Sequence, residues 1–221
     1  MGISPIGNNE TTSIEDGHKF ACGLHAIRGS PVVYSFGSNQ RQDFELGILE
    51  LRPDAKIFVF EILEEQLPRY RDPRIHYHAL GLGNGPMKIG NQLFTNIRTL
   101  KEHMISLGHA YIDVLKMDIE GGEFGWMAGE GAELLPRVGQ LLVEVHVRMY
   151  VPGDPSYPRM KRFGDILDLW KRIESTGQRL FFQEINWLSM AVSVGYCTEL
   201  AFVQGSWSVW DTKKFNLKHL I

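Results

Sequence analysis

The sequence predicts an α/β fold, a seven-stranded and mostly parallel sheet with helices on both faces and an antiparallel hairpin at its C-terminal end. Three observations predict it. β-Branched and aromatic runs alternate with helical stripes through most of the 221 residues, the pattern of repeated β-α-β units. Residues 112–123 (Ile-Asp-Val-Leu-Lys-Met-Asp-Ile-Glu-Gly-Gly-Glu) pass from an apolar strand into Asp118, Glu120, two glycines and Glu123 before a helix. Ligands of open α/β sheets sit beyond the carboxyl ends of the strands, where these acids fall. Residues 179–186 and 198–203 read as two strands with no convincing helix between them, so they pair antiparallel.

Residues 1–15 are polar and turn-rich and read as a loose arm ahead of one domain, 16–221. Asp16 to Cys22 is a compact mixed segment, either an edge element or a lid over the later pocket. Residues 31–36 form the first buried strand. Gly37, Ser38, Asn39 and Gln40 then lead it into a helix over 43–51. Gly37 would let a ligand approach the backbone, and the helix start offers free N–H groups. A second strand, 56–61, ends on Glu61, about one β-α-β unit beyond Gly37; an acid there accepts hydrogen bonds from ribose hydroxyls in nucleotide-binding sheets.

A third strand over 75–82 carries His76 and His78 as solvent-facing alternates and runs into Gly81, Gly83 and Gly85. Thr95 then caps a helix reaching Leu107, with Ile97, Leu100 and Met104 on its stripe. Beyond the acidic run, Pro136 and Gly139 break the chain before a fifth strand, 140–146, on which Glu144 and His146 share a face. A helix between 160 and 175 buries Phe163, Ile166, Leu167, Leu169, Trp170 and Ile173.

A net charge of -3 gives no electrostatic footprint for nucleic acid or an anionic membrane, so neither is an expected partner. No apolar run reaches the ~18 residues that span a bilayer, and the first residues show no basic segment followed by an apolar core. Cys22 and Cys197 lack a metal-ligand spacing and read as two buried thiols, with a disulfide left open; a reducing, cytoplasmic setting is the simpler expectation.

A parallel sheet finishing on an antiparallel hairpin is the arrangement of Rossmann-like class I methyltransferases. In residues, Val33-Tyr34-Ser35-Phe36-Gly37-Ser38-Asn39, Phe60-Glu61, the run 116–123 and Glu184-Ile185-Asn186 resemble the FkbM-like S-adenosylmethionine-dependent methyltransferases, in the branch that also carries an early Asp-Gly-…-Cys segment (Asp16, Gly17, Cys22). The resemblance covers about residues 16–204, and a single glycine in the first turn matches this branch. It implies S-adenosylmethionine as cofactor over the ends of the first two strands: Phe36, Gly37, Ser38 and Asn39 on the methionine side, Glu61 on the ribose, Ile62 and Gly81 completing the set, and Asp118 bordering the methyl group.

Methyl transfer to a hydroxyl needs alignment and removal of one proton. The expected catalytic set is His146 as general base, Asp118, and Glu144 orienting the imidazole if their side chains meet. The rival is a divalent cation, Mg²⁺ or Mn²⁺, on Asp118, Glu144 and His146, with Glu120, Glu184 and Asn186 near it. For Glu120 and Glu123 the plain alternative is helix-start capping. The expected acceptor is a small molecule or saccharide, a hydroxyl of a sugar or glycan being suited by Tyr150, Tyr157, Trp187 and Trp207 if these are not packing residues. Two other classes stay open: a nicotinamide-dependent oxidoreductase, against which the missing Gly-x-Gly-x-x-Gly argues, and a binding module that keeps the fold without the chemistry.

Overall fold

The computed structural model describes residues 3–6, 19–89, 91–146, 163–186, 197–206 and 217–219. In chain order the strands and helices are β1 (Ile3–Ile6), β2 (Lys19–Cys22), β3 (Val32–Phe36), α1 (Asp43–Leu51), β4 (Lys56–Phe60), β5 (Ile75–His78), β6 (Gly81–Leu82), β7 (Met87–Ile89), β8 (Gln92–Phe94) and β9 (Ile97–Arg98). They continue as α2 (Leu100–Leu107), β10 (Ile112–Met117), α3 (Glu123–Trp126), α4 (Ala132–Leu134), β11 (Val138–His146), α5 (Phe163–Ser175), β12 (Gln178–Asn186) and β13 (Cys197–Gln204). The main sheet has seven strands in the order β12-β13-β11-β10-β3-β4-β5. Its β11-β10-β3-β4-β5 part is parallel, and β13 runs antiparallel between β11 and β12. Chain direction across the sheet reverses between β3 and β10, so the ligand crevice of this topology lies beyond their carboxyl ends.

Period-two alternation divides the core into two layers. Val32, Tyr34 and Phe36 point to the face covered by α2, Trp126 and the Leu169 and Ile173 side of α5. Val33, Val114, Leu142 and Ala201 point to the other, where Phe44, Ile48 and Leu49 of α1 meet Ile6 and Ala21. That second face is roofed over β11 and β13 by β1 and β2, which pair antiparallel. Residues 3–6 are therefore a strand, not the loose arm expected, because Ile6 supplies an apolar anchor that its polar surroundings in sequence hide. Phe20 stacks on Phe182 at 3.6 Å between ring centroids, and the side-chain amide of Gln140 clasps the Cys22 backbone, accepting from its N–H and donating to its carbonyl, both at 2.7 Å.

Several local boundaries differ from expectation. The third strand stops at His78; Gly81–Leu82 pairs instead with Ile97–Arg98, so 95–98 is not helical. Helix α2 is capped by Thr99, not Thr95. The Thr99 hydroxyl accepts from the Glu102 N–H at 3.1 Å while the Glu102 carboxylate accepts from the Thr99 N–H at 2.8 Å, a capping box. Gly139 lies inside β11. Leu167 of α5 is exposed, the buried stripe being carried by Leu169 and Ile173; the Phe163 side chain lies outside the described residues. His76 is exposed, as expected, and His78 is half-buried, their rings stacking on Phe58 and Phe60.

If Gln140 holds β2 to the sheet, Gln140→Leu leaves the Cys22 N–H and carbonyl without partners and should cost about 2 kcal/mol in urea unfolding. Amide exchange over residues 19–22 should quicken with it; unchanged protection there contradicts the clasp.

Candidate active site

The turns after β3 and β10 meet backbone to backbone. The Asp118 N–H donates to the Phe36 carbonyl at 3.1 Å, and the Gly37 N–H to the Phe60 carbonyl at 3.1 Å. Gly37 has φ +79°, and a Cβ there would lie 1.8 Å from the Asp118 carbonyl oxygen. The protein's own backbone therefore requires glycine at this position. The Lys116 ammonium donates to the Gly37 carbonyl and ties the two turns together.

On the β3–β4 side, the buried Glu61 carboxylate accepts through one oxygen from the N–H groups of Ser38 and of Asn39, the latter at 2.6 Å. Asn39 and Gln40 both hold positive φ, 45° and 65°, so the turn curls over this carboxylate. Phe36 is stacked on Phe60 inside the core, so only its backbone is available to the crevice. Ile62 packs against Gly81, where an added Cβ would meet the Ile62 side chain at 3.2 Å. Burial lowers His103 to about 4, so its ring is neutral, and Nε2–H donates to the Gly81 carbonyl at 3.1 Å. Thus Ser38, Asn39, Glu61, Ile62 and Gly81 do gather at one edge of the crevice.

On the β10–β11 side, His146 is oriented by Glu123, not Glu144. Its Nδ1 donates to Glu123 Oε1 at 3.1 Å, whereas Nε2 is 4.0 Å from Glu144 Oε1, beyond hydrogen-bond reach. Glu123 Oε1 also accepts from the N–H groups of Ile119 and Gly121, both at 3.2 Å, so it holds the turn and the imidazole at once. Nε2 faces Asp118 Oδ1 at 3.8 Å and Glu120 Oε2 at 3.5 Å. Burial opposes a charge on the ring, but the Cys197 side chain and the Glu123 carboxylate prevail and push His146 up to about 12. It is therefore an imidazolium at neutral pH, not the resting base that its ordinary value suggested.

Register explains the rest. Glu144 lies opposite Glu199, and Glu199 opposite Glu184; His146 lies opposite Cys197, and Cys197 opposite Asn186. Two cross-strand rows of register partners therefore run over β11, β13 and β12. Cys22 and Cys197 form no disulfide. A residue that sequence reasoning missed completes the site: Lys19 of β2, 2% exposed, sends its ammonium to Glu199, to Glu144 Oε2 at 3.2 Å and to Asp118 Oδ2 at 3.9 Å. Burial disfavours this charge, yet the three carboxylates hold it well above the usual lysine range, while burial raises Glu199 against the pull of Lys19.

The expected metal set of Asp118, Glu144 and His146 does not assemble as one. Two groups do bring their ligand atoms within 4.8 Å of one another: Asp118, Glu120 and His146, and Glu144, His146 and Cys197. The Asn186 side chain and the aromatic residues Tyr150, Tyr157, Trp187 and Trp207 lie outside the described residues.

Strand order, hairpin and crevice define a class I methyltransferase fold. The chain belongs to the methyltransferase-domain family Methyltransf_22, whose model matches residues 6–204. No curated protein matches it significantly. Among solved structures it is similar to the fibrillarin pre-rRNA processing protein of Methanococcus jannaschii, at 12% identity over 81% of this chain and 68% of that one, TM-score 0.45. It is also similar to the 1,6-didemethyltoxoflavin-N1-methyltransferase of Burkholderia thailandensis (15%, 82% and 74%, TM-score 0.46). A third is the cyclopropane synthase MmaA2 of Mycobacterium tuberculosis (9%, 81% and 81%, TM-score 0.46). No helix among the described residues is long and apolar enough to cross a membrane.

The raised value of His146 has a measurable sign. Its stabilising contribution is complete below the ordinary 6.5 and drains away as pH rises toward about 12. Urea unfolding should show stability falling between pH 7 and 9, by at most about 1.4 kcal/mol per pH unit for one proton. His146→Gln should abolish that slope, and a slope retained in the variant contradicts the assignment.

Proposed function

We propose that the chain is an S-adenosylmethionine-dependent O-methyltransferase whose acceptor is a hydroxyl of a saccharide or a small hydroxylated metabolite. The observation that carries this reading is the juxtaposition at the switch point of Glu61 with its Ser38–Asn39 turn on one side and Asp118 with the Glu123–His146 pair on the other. The residues present fit the donor. Glu61 commits one oxygen to the turn, and its second is the acceptor that a ribose hydroxyl needs. Asp118 and Glu120 favour a positive charge beside them.

When bound, the donor supplies a methyl group on a cationic sulfur for in-line displacement by the acceptor oxygen. His146 takes the hydroxyl proton at Nε2, since Glu123 holds Nδ1–H. The resting ring is protonated, so the share of it able to accept a proton, and transfer with it, rises from pH 7 to 9. The acidic rim formed by Asp118 and Glu120 favours neutral or cationic acceptors over phosphorylated ones. The narrower likeness to FkbM-like enzymes rests on the run 116–123.

A second reading, a divalent cation, is favoured by the convergence of Asp118, Glu120 and His146. Such an ion would lower the acceptor hydroxyl's pKa at the same place.

Calorimetry should detect S-adenosylhomocysteine and not NAD, and Glu61→Ala should weaken that binding by about 10-fold or more, a lost charge-assisted hydrogen bond. His146→Ala should leave it nearly intact while transfer falls by about 100-fold. The acceptor is to be found by offering glycans and small hydroxylated metabolites with labelled donor; equal loss of donor binding in His146→Ala would move that residue to the cofactor site. EDTA treatment that leaves transfer unchanged removes the cation reading.

A further inference from the structure

We propose that Cys197, His146 and Glu144 form a zinc site at the transfer end, with Nε2 of His146 as the ring's ligand atom. The three residues bring their ligand atoms within 4.8 Å of one another, and all three are buried. Register assembles them: Cys197 lies opposite His146 across the antiparallel β11–β13 pair, and Glu144 is two residues back along β11, on the face that His146 shares. The Cys197 side chain hydrogen-bonds both His146 and Glu144. Thiolate, imidazole and carboxylate together are a donor set for Zn²⁺, whereas Mg²⁺ and Mn²⁺ take oxygen.

A second observation, outside the three ligands, points to the same ion. Glu123 accepts the Nδ1–H of His146 at 3.1 Å and leaves Nε2 for the site, the carboxylate–histidine arrangement that backs metal-bound imidazoles. Glu144 is divided in the same sense, Oε2 going to Lys19 at 3.2 Å while Oε1 faces Nε2 at 4.0 Å. Nitrogen and oxygen ligands of a tetrahedral zinc stand about 3.3 Å apart, so the 4.0 Å pair closes by about 0.7 Å, a side-chain rotation. An ion on Nε2 excludes proton removal by that atom and competes with filling of the Asp118–Glu120–His146 group. The first of these consequences rests on the methyltransferase reading above; zinc binding itself does not. Absence of S-adenosylhomocysteine binding in the native chain would sink that reading and leave the zinc site standing.

The probe is Co²⁺, a spectroscopic substitute for zinc, added to the reduced full chain without methyl donor. A thiolate-to-cobalt charge-transfer band should appear in the near ultraviolet, and Zn²⁺ should bleach it where equal Mn²⁺ does not. Cys197→Ser should remove the band, Glu144→Gln should weaken Co²⁺ binding by at least about 10-fold, and Glu120→Gln should leave the band in place. No such band in the native chain, a band that survives in a folded Cys197→Ser, or cobalt binding lost in Glu120→Gln overturns the proposal. If Cys197→Ser does not fold, Cys22→Ser decides: Cys197 is then the one thiol of the chain, so a band supports the proposal and its absence overturns it. In ¹⁵N-histidine-labelled chain, Zn²⁺ should shift Nε2 of His146 as the ligated nitrogen, and ligation at Nδ1 contradicts the assignment.

Discussion

Carboxylates buried side by side need a cation or a proton among them, and this constraint shapes the carboxyl end of the sheet. The antiparallel insertion of β13 beside β11 sets Glu144 against Glu199, and the β10 turn adds Asp118. A single ammonium from Lys19 answers all three. Because that lysine belongs to a strand outside the main sheet, the β1–β2 pair is part of the site's electrostatics as well as a roof over the second core layer.

The same economy of contacts governs the neighbouring charges. Glu123 uses one oxygen for two turn N–H groups and for His146, so the loop that presents Asp118 and the imidazole move as one unit. Across the switch point, Glu61 does the corresponding work for Ser38 and Asn39. Between the two lies the crossing at Gly37, where φ +79° and the nearby Asp118 carbonyl leave no space for a side chain. The two sides of the crevice thus share one backbone seam, which under the proposed function suits a reaction that depends on alignment.

The sheet was legible in the sequence because its strands are short apolar runs with clear punctuation: residues 32–36, 56–60 and 112–117, the helix over 43–51 and the final hairpin all lie where periodicity puts them. Helix α2 was misplaced at its start because Thr95 competes with Thr99, and only the Thr99–Glu102 capping box distinguishes them. Much of the site was legible as residue types, Glu61, Asp118 and His146 among them, but their partnerships were not. Two-residue spacing suggested Glu144 as the partner of His146, whereas Glu123 arrives from a helix start in three dimensions. Lys19 was invisible because a lysine on a short strand reads as a solvated face, and what buries it is a register between strands more than 100 residues away. His146 misled for a related reason: its ordinary proton affinity is a property of water, not of a pocket of carboxylates.

The most direct test of the account is a crystal grown with S-adenosylhomocysteine. It predicts the ribose hydroxyls on Glu61, the amino-acid end along the Ser38–Asn39 turn, and the sulfur directed toward Asp118 with His146 Nε2 beyond it. Density for the ligand elsewhere, or a Gly37–Glu61 crevice that stays closed at saturating ligand, would contradict it.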